Sequence, residues 1–374
     1  MPNFLYVALL RRKVYLPVIL LFLLFVSVAS IPSSNPDVLQ LRTEKLPFSP
    51  KEFYIAEVID ERSDKKTVAY LVPVGAGASA KTKAIDLQGG GLTAFRTFVQ
   101  QGIPANKKLR PVVIRLKEMQ VKEAATESGR VEGKIAVEMA FELNRDGETV
   151  PLLQYKGGGR YERSANRNEV TETALRQSLV EALRYLNTWM DREANTNPKL
   201  AKGIKVTFTD YMGSNDQDTV FYVPHRTLQW EDFKADANRA SRFSATVFPS
   251  FAYDGETEVK DGIIHLNLTM KVYVLKSSSW VKESAKDPYG LNHEQRHFDI
   301  VKLVSERFKQ KVNPDELSLT DYNSNIQYLF IESFREMNQL QDQYDEETRH
   351  GLDKLAQERW NLRLEKELKE IGVK

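Results

Sequence analysis

The sequence predicts an α+β protein with two folded regions, and three observations lead to this prediction. At 374 residues the chain is longer than one ordinary compact domain. Segments with the period of a strand and segments with the period of a helix occur in both halves. A polar stretch containing Pro198 separates the halves. The expected order is a signal peptide at 1–30, a spacer at 31–44, a small α+β domain of unknown role at 45–190, a linker at 191–203, and a second α+β domain with an antiparallel sheet and C-terminal helices at 204–374.

The composition is that of an ordinary globular protein, with 41% apolar and 28% charged residues. The 53 basic and 51 acidic residues are well mixed and leave a net charge of +2, which gives no reason to expect nucleic acid as a partner. The chain has no cysteine. Disulfides, thiolate ligands and a cysteine nucleophile are therefore excluded, and a metal site must be built from His, Asp and Glu.

The first thirty residues have the order of a secretory signal peptide. Three basic residues, Arg11, Arg12 and Lys13, precede the apolar run Val14–Val28, and small residues suited to cleavage follow. The run is slightly short for a spanning helix, so an uncleaved membrane anchor is the alternative. We expect a secreted or periplasmic, cell-envelope location, with membrane association only if this segment is retained.

The first region carries no recognisable chemistry. Its strand and helix order loosely resembles that of accessory lipoprotein-like domains of cell envelopes. The predicted strands are Phe53–Asp60 with Val68–Val74 as its partner, then Pro111–Leu116, Val131–Leu143 and Val150–Tyr155, the last two joined by a turn at Asp146-Gly147; the predicted helices are Leu92–Gln101 and Thr171–Met190.

The second region begins with strands and ends with helices. In Ile263–Leu275 apolar and polar residues alternate, which predicts a strand with one buried face, and its edge is a candidate for pairing with an extended peptide. A helix follows Asp287-Pro288-Tyr289-Gly290, with a buried stripe of Ile300, Val301, Val304 and Phe308. The other predicted elements are strands Val206–Thr209, Thr219–Val223 and Val247–Tyr253 and helices Leu317–Gln341 and Glu346–Glu370, the last with Leu352, Leu355, Leu362 and Leu368 as its buried stripe.

The chemistry concentrates in His293-Glu294-Gln295-Arg296-His297 at the start of that helix. Residues four apart share a helical face, about 5–6 Å apart at Cβ, so both imidazoles can bind one metal ion. Glu294 beside the first histidine can then take a proton from a metal-bound water. Of the chain's five histidines, His225 in a loop and His265 in a strand are not expected to be ligands.

Catalytic zinc takes three protein ligands and keeps one position for water, so a third ligand must lie elsewhere. His350 is the preferred candidate, since it is the only histidine after the motif. Glu332 is an alternative, and Asp345 is another, either as a ligand or as a partner that orients a ligating histidine. Tyr344 is a candidate hydrogen-bond donor to a developing oxyanion, with simple packing as the alternative role.

Four ordered matches make the second region similar to a family of bacterial secreted zinc-dependent proteases. They are Leu228-x-Trp230-x-Asp232-Phe233, then Ser241-Arg242-Phe243, then His293-Glu294-Gln295-x-His297-Phe298-Asp299-Ile300, and finally Tyr344-Asp345-x-Glu347-Thr348-x-His350-Gly351 with Gln357 and Trp360 behind it. The resemblance covers about residues 205–370 and leaves the first region outside. It implies a zincin-like fold, with His293, His297 and His350 as zinc ligands and Glu294 as the base.

The expected function is that of an exported zinc metallopeptidase that hydrolyses peptide bonds in a peptide or protein substrate. Zn²⁺ would be held by His293, His297 and His350, Glu294 would act as general base, and Tyr344 would assist. The alternative, from another class, is a cell-envelope binding or assembly protein whose metallopeptidase-like domain is structural or inactive. The first region favours this alternative because it offers no chemistry.

Overall fold

The computed structural model describes residues 39–76, 80–145, 147–213, 217–237 and 239–373. The predicted signal peptide at 1–30 and Asp146 of the predicted turn lie outside the described residues. The chain forms two compact units, the first ending at Arg192 and the second beginning at Glu193. The fold of both is α+β. Among the described residues, no helix is long and apolar enough to cross a membrane.

The first unit contains a six-stranded sheet and two helices. Three long strands form its antiparallel centre, and the β1 strand pairs in parallel with the first half of β4 rather than with the segment expected to be its partner. The elements are β1 (Phe53–Asp60), β2 (Ala69–Leu71), β3 (Lys83–Ile85), α1 (Gly91–Gly102), β4 (Arg110–Ala125), β5 (Arg130–Arg145), β6 (Glu148–Ser164) and α2 (Glu169–Glu193).

One group of buried polar side chains in the first unit is centred on Glu123. The Glu123 carboxylate, which is inaccessible to solvent, accepts hydrogen bonds from Arg163 Nη2 at 2.6 Å and from the Tyr161 hydroxyl at 2.6 Å. The oxygen that accepts from Arg163 Nη2, Oε2, also accepts from the backbone N–H of Val72 at 2.9 Å, whereas the Tyr161 hydroxyl bonds Oε1. A buried charge pair with these additional hydrogen bonds connects the β4 and β6 strands to the segment after β2.

The second unit contains a four-stranded sheet, a two-stranded ribbon and three helices. The sheet is mixed rather than antiparallel, because β7 runs parallel to β11 whereas β8 and β10 run antiparallel to it. The elements are β7 (Gly203–Asp210), β8 (Thr219–Phe221), β9 (Ala245–Thr246), β10 (Pro249–Lys260), β11 (Ile263–Leu275), β12 (Trp280–Val281), α3 (Pro288–Lys311), α4 (Tyr322–Thr348) and α5 (Lys354–Glu370).

The β11 strand has the predicted bounds, but both of its edges are occupied. The β10 strand pairs with it over its whole length, while β7 and then β8 pair with its other edge. The prediction that this strand pairs with an extended peptide is therefore wrong, since no backbone edge is left along it for a further strand.

The α3 helix begins at Pro288, one residue after Asp287, whose carboxylate accepts the backbone N–H of Gly290 at 2.8 Å. Proline at the first helical position and aspartate before it are a strong start signal. The predicted inward stripe is confirmed, because Ile300, Val301, Val304 and Phe308 are all buried.

The last two helices differ from the prediction. The α4 helix continues to Thr348, so Tyr344 and Asp345 lie in its last turn, and α5 begins only at Lys354. The predicted stripe of α5 is wrong at three of four positions, because Leu352, Leu355 and Leu362 are 79%, 76% and 61% exposed. The buried face of α5 instead carries Ala356, Gln357, Trp360, Leu364 and Leu368.

Candidate metal centre

His293 and His297 lie one turn apart on α3, and their rings face a common point. The ring centroids are 5.0 Å apart at an interplanar angle of 90°. Both side chains are almost enclosed, with 9% and 12% of their surface exposed. The ring of Tyr344 packs against both, at 4.8 Å from each centroid. Two imidazoles held in one enclosed place can act as a ligand pair.

A carboxylate from α4 completes the group. Asp345 Oδ1 lies 3.3 Å from Nε2 of His293 and 3.1 Å from Nε2 of His297. A ligand atom from each of the three residues lies within 4.8 Å of the other two. Asp345 was one of the alternatives for the third ligand, and the turn that ends α4 carries it to the histidines.

The surroundings of Asp345 Oδ1 fit a cation. This oxygen is buried and makes no hydrogen bond of ordinary geometry, although two imidazole nitrogens are close to it. A buried oxygen without a partner is costly. Ligand atoms bound to zinc at about 2.0–2.1 Å in a tetrahedral site are about 3.3 Å apart, which matches the two Oδ1–Nε2 distances.

Two glutamines hold the outer nitrogens of the histidines. Oε1 of Gln357, on α5, lies 2.9 Å from Nδ1 of His293, and Oε1 of Gln341, on α4, contacts Nδ1 of His297. Because an amide oxygen can only accept, each Nδ1 carries a proton, and in the neutral ring Nε2 is left as the nitrogen that can bind a metal. The ring orientation and the tautomer both suit metal binding.

Glu294 lies between the histidines and is buried. Its Oε2 accepts the backbone N–H of Val247 at 3.1 Å, just before β10. Burial raises the pKa of its carboxyl, opposed by the positive charge that His297 and His293 can carry and by the Val247 hydrogen bond, while Asp345 raises it further. A carboxylate with a raised pKa accepts a proton more readily than an ordinary one, as a general base requires.

The pKa values of His297 and Asp345 shift in opposite directions. Burial raises the pKa of Asp345, but the two neighbouring imidazoles lower it more, so that its net shift is downward. Burial lowers the pKa of His297, but Asp345 and Glu294 raise it more, so that its net shift is upward. These opposite shifts show that a positive charge beside Asp345 and Glu294 is favourable.

Tyr344 is fully buried. Its hydroxyl donates to Oε1 of Gln357 at 2.8 Å and lies 3.2 Å from the backbone carbonyl of His293. Burial raises the pKa of this phenol, and Glu294 adds to the increase. The hydroxyl is bound inside the protein, and the ring packs against both histidines. This placement fits a packing role for Tyr344, the alternative considered from the sequence, rather than hydrogen bonding to an oxyanion of the substrate.

His350 lies beside the group but is not one of its three grouped residues. Its Nδ1 is 3.3 Å from Oδ2 of Asp345, and its side chain is 42% exposed. Glu332 lies thirteen residues before Asp345 on the same helix, about 20 Å away along its axis. It pairs with Arg335. The geometry therefore favours Asp345 over His350 and Glu332 as the third ligand.

The remaining motif residues fix the position of α3. Asp299, which is fully buried, accepts hydrogen bonds from Arg296 Nη1 at 2.8 Å, from the Tyr222 hydroxyl at 2.8 Å and from Gln295 Nε2 at 3.1 Å. Gln295 Oε1 also accepts the backbone N–H of Leu228 at 2.8 Å. The motif residues beyond the ligands thus connect the helix to the segments around β8.

Gly351 is required by the close approach of its backbone to His293. Its φ is +78°, and a Cβ at this position would meet the His293 ring at 3.3 Å. Its carbonyl accepts the Tyr289 hydroxyl at 2.8 Å.

Of the side chains around the histidines, Gln341 was not predicted, and Gln357 entered only as part of the family resemblance.

Comparison with other proteins adds little. No family model and no curated protein matches this sequence. Among solved structures, a protein of the DUF330 family from Xanthomonas campestris aligns over 41% of this chain and 96% of its own, at 10% identity and a TM-score of 0.25. A similarity this low supports no inference about function.

Proposed function

We propose that the second unit is a zincin-like, zinc-dependent metallopeptidase domain. The observation that carries this proposal is the buried, unpartnered Oδ1 of Asp345 beside two imidazole Nε2 atoms. Two imidazoles and one carboxylate are a ligand set that catalytic zinc sites use. The buried Glu294 beside them distinguishes a hydrolytic site from a purely structural one, because a structural site needs no base.

Each residue has a role that follows from its placement. His293, His297 and Asp345 would hold the ion, whose chemistry when bound is that of a Lewis acid that makes water more acidic and a carbonyl more electrophilic. Glu294, oriented by the Val247 N–H, would accept a proton from the attacking water and return it to the leaving amine. The glutamines would keep both histidines in the ligating tautomer.

The substrate class is peptide or protein. The resemblance of residues 205–370 to secreted zinc-dependent proteases supports this choice. The export pattern of residues 1–30 supports action outside the cytoplasm.

The test compares four forms of the full chain. Zinc content is measured for the wild type, His297→Ala and Glu294→Gln, and casein and peptide-library cleavage is measured for the wild type, Glu294→Gln and Tyr344→Phe. We expect His297→Ala to lose zinc. Glu294→Gln should keep zinc and lose about 10²–10⁴-fold in turnover, the usual contribution of a general base. Tyr344→Phe should remain active, since its hydroxyl is bound within the protein.

Equal zinc in the wild type and His297→Ala would refute the metal site, and undiminished cleavage by Glu294→Gln would refute the mechanism. Zinc binding that depends on His297 but is accompanied by no cleavage would favour the cell-envelope binding or assembly alternative.

A further inference from the structure

The two oxygens of Asp345 have different surroundings. Oδ1 is buried beside the two ligating histidines, whereas Oδ2 lies 3.3 Å from Nδ1 of His350. This contact is slightly longer than an ordinary N–H···O hydrogen bond of about 2.7–3.2 Å. Such contacts commonly shorten when a catalytic site is filled. Oδ1 of Asp345 is therefore a candidate metal ligand, whereas Oδ2 is a candidate hydrogen-bond acceptor for His350.

The backbone around His350 is arranged to keep this ring against Asp345. Arg349, His350 and Gly351 have φ values of +52°, +54° and +78°, three left-handed residues in succession. The backbone N–H of His350 donates to the Asp345 carbonyl at 2.8 Å. Non-glycine residues adopt this conformation only where their surroundings impose it, which is common at functional sites.

A second segment, Ser241–Phe243, packs against the His350 ring. The Phe243 ring lies 4.7 Å from that of His350, and the Arg242 guanidinium lies 4.9 Å above Phe243. The carbonyl of Ser241 accepts a hydrogen bond from Lys282 Nζ at 2.7 Å, which holds this segment in place. The Ser241–Phe243 segment and His350, both singled out in the sequence, thus form one contact.

Building on the metal site proposed above, we propose that His350 is a positioning residue and not a ligand: its Nδ1–H holds Oδ2 of Asp345, so that Oδ1 alone faces the histidines. A carboxylate free to rotate can offer both oxygens to one cation. Three single-atom ligands leave a fourth position for water, which a second carboxylate oxygen would fill. His350 therefore keeps the metal centre open.

The experiment uses the metal-free full chain as wild type, His350→Ala, His350→Gly, His350→Asn and His297→Ala. Zinc affinity is measured by competition with a chromophoric chelator, and the visible spectrum is recorded after loading with Co²⁺. Asparagine keeps an N–H donor near the position of Nδ1 and tolerates positive φ, whereas glycine tolerates positive φ without a donor. Thermal unfolding of the metal-free forms checks folding.

We expect His350→Ala and His350→Gly to bind zinc about 10- to 100-fold more weakly, as for other residues that orient a ligand. Their Co²⁺ absorption should weaken, because a second carboxylate oxygen raises the coordination number. His350→Asn should remain close to wild type in both measurements, and His297→Ala should lose more affinity than any His350 variant.

Three results would overturn the inference. His350→Gly could bind zinc as tightly as wild type with an unchanged Co²⁺ spectrum, which would leave His350 without a role. All His350 variants, including His350→Asn, could lose as much affinity as His297→Ala, which would make His350 a ligand. Wild type and His297→Ala could bind equally, which would remove the metal site itself. His350-dependent metal binding without peptide cleavage would uphold the inference while refuting the peptidase proposal.

Discussion

At the scale of single residues, the candidate metal centre depends on side chains that would not touch the metal. Gln341 both contacts Nδ1 of His297 through Oε1 and donates from Nε2 to the backbone carbonyl of His297 at 3.2 Å. These two contacts fix the amide orientation as well as the tautomer of the ring. In the neutral ring, Nε2 is therefore the nitrogen that keeps a lone pair for a cation.

Replacing Gln341 by leucine should weaken zinc binding about 10- to 100-fold, because His297 loses the acceptor that selects its ligating tautomer. The measurement is zinc competition with a chelator on the metal-free protein. Gln339→Leu is the matched control, since Gln339 is exposed on the same helix. Equal affinities for the two variants would show that Gln341 does not orient His297.

The sequence predicts the local part of the site and leaves the non-local part open. His293, Glu294 and His297 follow from spacing within one helix, which depends on neighbouring residues alone. Asp345 could appear only as one of three third-ligand candidates, since its position depends on how α4 ends and packs against α3. Gln341 has no sequence signal, because glutamine on a helix is ordinarily a surface residue.

At the scale of elements, the helix ends decide which residues meet. The predicted gap between Gln341 and Glu346 would have placed Asp345 in a loop, whereas α4 continues to Thr348. The real break falls at Arg349 and His350, which have positive φ. Non-glycine residues rarely adopt this conformation, so the only local signal for the break is Gly351.

Two leucine substitutions on α5 test which face of this helix packs in the core. Leu364 is buried among Trp360, Ile300 and Tyr344, whereas Leu355 is 76% exposed. Leu364→Ala should lower the free energy of unfolding by about 2–5 kcal/mol, the usual cost of such a truncation in a core. Leu355→Ala should change it by no more than about 0.5 kcal/mol.

Urea unfolding followed by far-ultraviolet circular dichroism measures both variants. A larger loss for Leu355→Ala than for Leu364→Ala would restore the stripe predicted from the sequence. That prediction failed because leucines spaced by three and seven residues form a regular helical row whether or not the row faces the core.

The same distinction between local and non-local information applies to β11. Its bounds were predicted to the residue, because alternation along Ile263–Leu275 is a property of the strand itself. The pairing of β11 with its three partner strands was not predicted. It depends on distant parts of the chain, since β7 lies more than fifty residues away and pairs in parallel. The expectation of a free edge failed for this reason.

At the scale of the whole molecule, the candidate chemistry belongs to one of the two units. His293, His297, Asp345 and Glu294 all lie after Glu193, on α3 and α4. The first unit has its own core, and its buried carboxylate Glu123 is paired with Arg163. A cation that binds only the folded second unit should therefore stabilise that unit alone.

Amide hydrogen exchange of the full chain, with zinc and with a chelator, tests this expectation. A ligand at about 1,000 times its dissociation constant stabilises the state that binds it by about 4 kcal/mol, so exchange through unfolding of the second unit should slow strongly. The largest protection should appear at 288–299 and 341–351, which carry the proposed ligands and the His350 turn. Peptides from 39–192 should exchange at the same rate in both conditions. As the control, His297→Ala should show no zinc-dependent protection. Equal protection of both units would contradict a site confined to these helices. Protection that persists in His297→Ala would contradict it as well.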